Sequence, residues 1–289
     1  MRIKIISIAL ICIFLAACTK AEDKFVVDLQ FVDNQHYEFR NGRVTEEVMY
    51  YALGEHGEYH FVTGNEWTNE YMTQLIDVSE DAIKFVKDWL GYEDEVLINF
   101  IYGNKKYDPP TNPKSHLQKL WFGGNAFDNE IFINASEEYM PALIAHEAVH
   151  TILNLQERQS NFPLWNSVQF LEEGLADVID YLFFLETEHV YDLSRYVKDK
   201  QAAESHLHEY ALIMFEFYDN FEDEKEFGSI YPQLMSYETS ASFIYYLLEY
   251  KGTKEDFMRV FDDINLMEEV YGVSMDGMIT QWLEFLEQI

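Results

Sequence analysis

The stretch LIAHEAVH, residues 143 to 150, carries two histidines four apart with a glutamate directly after the first. Its neighbours suit a helix. Pro141 fits a first helical turn, where its missing N–H costs nothing. Leu143, Ile144, Ala145 and Ala148 are apolar, so a helix here would partly bury the polar trio. A helix turns about 100° per residue, which puts His150 about 40° and Glu147 about 100° from His146. All three side chains then leave the helix within one third of its circumference.

Two imidazoles one turn apart can share a metal ion, and mixed nitrogen and oxygen ligation suits Zn²⁺ best. Glu147 is offset from the histidine pair, so it would reach a water molecule instead of the metal. A hydrolytic site needs that pairing: a Lewis acid to acidify water and a carboxylate to take its proton. Catalytic zinc commonly has three protein ligands, and FLEEGLADVIDYLFF, residues 170 to 184, offers the third. Leu171, Leu175, Ile179 and Leu182 recur at helical spacing. Glu173 and Asp177 lie one turn apart on one face. Glu173 is the metal-ligand candidate. Asp177 can accept a hydrogen bond from a ligand histidine, most naturally His146, and so orient it. Taken alone, Glu172, Glu173, Asp177 and Asp180 also fit a solvated acidic face. The apolar surroundings point the other way, because a helix ending in YLFFL is mostly buried and buried carboxylates need partners.

HEAVH followed by FLEEGLAD resembles the gluzincin metallopeptidases, the HExxH group whose third zinc ligand is a glutamate on a downstream helix. The 22 residues between His150 and Glu173 match a spacing that family uses. Gluzincins often have Asn where this chain has Glu172, which leaves both glutamates open as the ligand; Glu173 is preferred because it precedes Gly174 and has Asp177 one turn on. The resemblance implies one Zn²⁺ per chain held by His146, His150 and Glu173, with Glu147 as the catalytic base. SYETSASFIYYLLEYKG (236 to 252) resembles the gluzincin segment in which a tyrosine opens a helix and steadies the oxyanion. Tyr237 holds that position, although with 20 tyrosines in the chain a packing or surface role is the plainer alternative. The closing segment VYGVSMDGMITQWLEFLEQ resembles the last helix of peptidase MA-like domains. In that family the strand before the active helix is a sheet edge with which substrate pairs. GGNAFDNEIFIN (123 to 134) occupies its place and makes Asn125 and Ala126 substrate-contact candidates, an ordinary hairpin being the alternative. His206 and His208, two apart, read as surface positions, with His206 an alternative oxyanion donor. His36, His56, His60, His116 and His189 show no ligand spacing.

The expected architecture is α+β. An N-terminal lobe with a small mixed sheet and a helix (25–135) joins a mostly helical lobe with the zinc site (136–289). A zincin-like cleft lies between them; alternatively 25–289 forms one peptidase unit. Asn41-Gly42 between alternating apolar flanks signals a hairpin. Residues 70 to 90 have helical periodicity with Gly91 as a stop, 95 to 103 read as a strand, and 117 to 134 as two short strands around a glycine turn. From about Met140 the chain is nearly all helical.

With 48% hydrophobic and 16% aromatic residues the chain can bury a full core. A net charge of −32 disfavours nucleic acid as a partner, since phosphates would be repelled. The N-terminus MRIKIISIALICIFLAACTK has the basic start and apolar run of an export signal. Its ending, Leu15-Ala16-Ala17-Cys18, resembles the lipobox of bacterial lipoproteins. This implies a signal peptide over 1–17, lipidation at Cys18, a linker over 18–24, and a membrane-anchored protein facing outside the cytoplasm. An ordinary signal cleaved near Ala17 is the alternative. The other cysteine, Cys12, lies within the signal, so no disulfide is available to the mature chain. Peptide-bond hydrolysis is the leading expectation, with a peptide or protein substrate. A catalytically silent binding lipoprotein on the same fold and a metal hydrolase of non-peptide substrates are the alternatives.

Overall fold

A computed structural model describes residues 28–39, 44–63, 66–103, 124–134, 140–158, 167–187, 204–213 apart from 206 and 210, and 237–288. They form a mixed α/β fold on a six-stranded mixed sheet. The strands are β1 (Gln30–Phe39), β2 (Val44–Leu53), β3 (Gly57–Val62), β4 (Ile98–Gly103), β5 (Gly124–Phe127) and β6 (Glu130–Asn134), in the order β1-β2-β3-β4-β6-β5. β1, β2 and β3 form an antiparallel meander. β4 is parallel to both β3 and β6, and β5 closes the sheet antiparallel to β6.

The parallel step from β3 to β4 needs a crossover. Helix α1 (Asn69–Leu90) provides it. The Thr68 side chain caps its first turn by accepting from the Tyr71 N–H, and Gly91 stops it with φ 68°. That left-handed backbone is why glycine stands there. α1 buries Met72, Ile76, Ile83 and Val86 in the same core as the stacked Tyr59–Phe100 and Phe61–Tyr102 pairs of the sheet.

Period-two alternation sorts the strand residues between two faces. Phe100, Tyr102, Ile131 and Ile133 join the larger core on the helix side, while Ile101 and Phe132 belong to a smaller cluster on the other face. The larger cluster runs from Ala52 to Leu286, so the core continues across the change from strands to helices near residue 135.

The helices that follow are α2 (Met140–Leu155), α3 (Ser167–Glu186), α4 (Tyr237–Tyr246), α5 (Lys254–Asp262), α6 (Met267–Tyr271) and α7 (Met275–Leu286). α4 runs on into a π-helical turn at Leu247–Lys251. α2 packs on α1, α3, β5 and β6, and α4 packs on α3.

Three expectations need correction or placing. Residues 124–134 form a hairpin of their own, turned at Asp128-Asn129, while the strand expected before the glycine turn lies outside the described residues. Asp128 takes φ 53°, which a short polar side chain tolerates, and Gly124 instead opens β5. The Asn41-Gly42 turn lies outside the described residues, though β1 and β2 pair on either side of it, Phe39 opposite Val44. His208 is buried, not on the surface, and its Nδ1 lies 2.7 Å from Ser242 Oγ, which also accepts from Trp282 Nε1. Two positions two apart on a helix face opposite sides, so one of the pair turns inward. His206 lies outside the described residues.

His60 is buried as well, ringed by Tyr37, Phe39 and Tyr51 on the smaller-core face. Burial lowers both His60 and His208 from 6.5 to about 4. The fold therefore holds them neutral, whereas the unfolded chain protonates them near 6.5. As pH falls from about 6.5 toward about 4, their contribution works against folding; above that window it vanishes. A His60→Phe variant should gain on wild type by roughly 2 kcal/mol between pH 7.5 and pH 5 in chemical unfolding. An unchanged difference would mean that His60 protonates in the folded protein.

Candidate metal centre

α2 and α3 meet along the faces singled out by their sequences. His146 and His150 project from successive turns of α2, and Glu173 and Asp177 from successive turns of α3. His146 Nε2 lies 3.0 Å from Glu173 Oε2, His150 Nε2 lies 3.1 Å from the same oxygen, and the two imidazole nitrogens are 3.2 Å apart. On the far side of its ring, His146 Nδ1 donates to Asp177 Oδ1 at 2.8 Å.

This triangle fits a cation better than a hydrogen-bond network. In the neutral ring, Asp177 accepts from Nδ1–H, which leaves the His146 Nε2 lone pair pointing at a carboxylate oxygen and a second imidazole nitrogen. With both Nε2 atoms unprotonated, three lone-pair atoms converge on one point. A tetrahedral ion about 2.0–2.2 Å from its ligands would space them about 3.3–3.6 Å apart, close to the edges observed. Among the described residues, His146, His150 and Glu173 form the group able to hold a metal ion. Glu173 is therefore the carboxylate brought to the histidines, and Glu172 is not part of the group.

The electrostatics agree. Burial works against charge on His146, but hydrogen bonds to Asp177 and Glu173 outweigh it and raise the imidazole well above its ordinary value. Burial likewise pushes Glu173 up, and His146 and His150 more than reverse this, holding it far below the usual carboxylate range. Without a metal, the cluster draws positive charge onto the His146 imidazole. Glu147 is 7% exposed and raised by burial, an effect that the two histidines partly oppose. Its carboxylate also accepts from the Ala126 backbone N–H on β5.

The remaining candidates fall around this centre. Tyr237 opens α4 with its ring centroid 6.2 Å from that of His146, and it is 54% exposed. Asn125 and Ala126 lie on β5, the terminal strand of the sheet among the described residues. The strand immediately before α2 is β6, which is flanked on both sides, so the edge is the first strand of the hairpin and not the second. Asp180 is buried and Glu172 half-buried, so α3 does not present its acids as a solvated face. Cys18 lies outside the described residues.

Two glycines carry structure that the motif search passed over. A Cβ on Gly174 would run into Ser240 Oγ and come within 2.8 Å of Ile244 Cδ1, so the residue after Glu173 is where α4 closes on α3. A Cβ on Gly124 would meet Glu147. Glycine inside a helix or strand is locally unfavourable, and that was the available signal of close approach.

No protein-family profile matches this chain, and no curated protein matches it.

Two outcomes test the centre. Asp177→Asn should weaken Zn²⁺ binding about 10- to 100-fold in chelator competition, since the His146 ring loses its anchor; an unchanged affinity would remove Asp177 from the site. Gly174→Ala should cost about 1–3 kcal/mol in denaturant unfolding, because α4 must shift; a neutral result would mean that the helices part freely.

Proposed function

We propose that this chain is a gluzincin-type zinc metallopeptidase carried on a bacterial lipoprotein, hydrolysing peptide bonds outside the cytoplasm. The observation that supports it best is the convergence of His146, His150 and Glu173 at 3.0–3.2 Å, with Glu147 buried on the same turn of α2 as His146. In this reading substrate enters a cleft between the sheet and the C-terminal helices.

The three ligand side chains would hold Zn²⁺, which supplies Lewis acidity toward water and carbonyl oxygen. Asp177 keeps the His146 ring in one tautomer and one orientation, with Nε2 free for the metal. Glu147 takes a proton from the attacking water as the new C–O bond forms. It later passes that proton to the leaving amine as the C–N bond breaks. Its burial favours the exchange, because a carboxylate raised from its ordinary value is a better base. Tyr237 donates its phenolic proton toward the developing oxyanion. The edge of β5 offers the Ala126 carbonyl to the main chain of an extended peptide, with the Asn125 side chain beside it, which gives affinity with little sequence demand. The Cys18 lipid anchor places this chemistry at a membrane surface.

The purified protein should hold about one zinc per chain by mass spectrometry, and Glu173→Ala should lose it. Glu147→Gln should keep the zinc while peptide hydrolysis falls about 10²- to 10⁴-fold. A metal-replete wild type without zinc would overturn the proposal. So would a Glu147→Gln variant of undiminished activity.

A further inference from the structure

Glu147 leaves α2 against β5, the last strand of the sheet among the described residues, and two features of β5 meet it there. The first is a donor. β5 pairs with β6 through Phe127 opposite Glu130 and Asn125 opposite Phe132, closed by the two-residue turn Asp128-Asn129. In such a ladder alternate residues turn their backbone groups inward, so Gly124 and Ala126 direct theirs to the open edge. The Ala126 N–H is taken by the Glu147 carboxylate.

The second feature is space. A Cβ on Gly124 would lie 2.6 Å from Glu147 Oε1, 2.7 Å from its Cγ and 3.0 Å from its Cδ. These three nearest atoms all belong to Glu147 and none to a metal ligand. Backbone conformation does not require glycine at this position. Among the described glycines the positive-φ residues are Gly91 and Gly272, and Gly124 is not one of them. A strand glycine is locally costly, so its presence is accounted for by the room it leaves.

We infer that β5 seats the Glu147 side chain, with Ala126 N–H as its anchor and Gly124 as the positioning residue that leaves it room. The catalytic meaning of this seat rests on the proposed function, in which Glu147 is the base. A methyl at 124 occupies the path of the Glu147 stem. The side chain must rotate away and give up the Ala126 N–H, while His146, His150 and Glu173 keep their places. The metal stays and the base is lost from its position.

The test compares full-length wild type, Gly124→Ala, Glu147→Ala and the double variant. In chelator-treated protein carrying ¹⁵N-alanine, the Ala126 amide resonance of Gly124→Ala should move to the position it takes in Glu147→Ala. A resonance that stays at the wild-type position overturns the inference. With zinc restored, Gly124→Ala should lower kcat on a fluorogenic peptide about 100-fold. Zinc affinity and KM should stay near wild type. In the Glu147→Ala background the same substitution should leave the residual rate unchanged, because both act through one group. An equal loss in both backgrounds would mean general damage and overturns the inference. Should Gly124→Ala fail to fold, a folded double variant supports the inference, since removing Glu147 removes the clash; an unfolded double variant overturns it. A wild type that takes up no zinc and cleaves no peptide would sink the proposed function, while the amide comparison would still decide the role of Gly124.

Discussion

Two carboxylates on α3 clasp two imidazoles on α2, and the surrounding packing serves that contact. Burying His146 beside Glu173 and Asp177 removes ionisable groups from water, a loss that only close mutual contact offsets. The contact tolerates little slack. Distances of 2.8–3.2 Å among four side chains on two helices require α2 and α3 to keep one relative register. That register comes from the apolar cluster beneath the helices and from α4 closing on Gly174.

The sheet supports the centre from the other side. β4 and β6 supply Phe100, Tyr102, Ile131 and Ile133 to the core under α1 and α2. β5, with no strand on its outer side among the described residues, brings its edge to Glu147. One helix thus faces two partners. His146 and His150 look toward α3, and Glu147, about 100° around the helix from His146, looks toward β5. The histidine–glutamate spacing separates the metal-ligand candidates from Glu147, and the fold places a different neighbour against each.

Much of this was legible in the chain. The helix periodicity of 70–90 and its stop at Gly91 appear as α1, and the apolar run 95–103 contains β4. The pairs His146 with His150 and Glu173 with Asp177 were each legible from spacing on one helix, because i to i+4 places side chains on one face whatever the remainder of the fold does. The misreadings were of turns and inward faces. Asp128-Asn129 splits residues 124–134 into two strands where the only glycines stand at 123 and 124, since aspartate also tolerates left-handed backbone. His208 reads as a surface residue because nothing in its local sequence says which side of its helix meets Ser242 and Trp282.

By itself, then, the sequence determined which side chains share a helix face, where the strands and helices fall, and the acidic balance of the chain. These are short-range properties, set by backbone geometry within a few residues. Only the tertiary structure decided that Glu173, and not Glu172, meets the histidines, that Asp177 serves His146, and that Gly124 and Gly174 are the points of close approach. Each of these depends on how two distant segments rotate against each other. That rotation is settled by packing over the whole core, which no local pattern encodes.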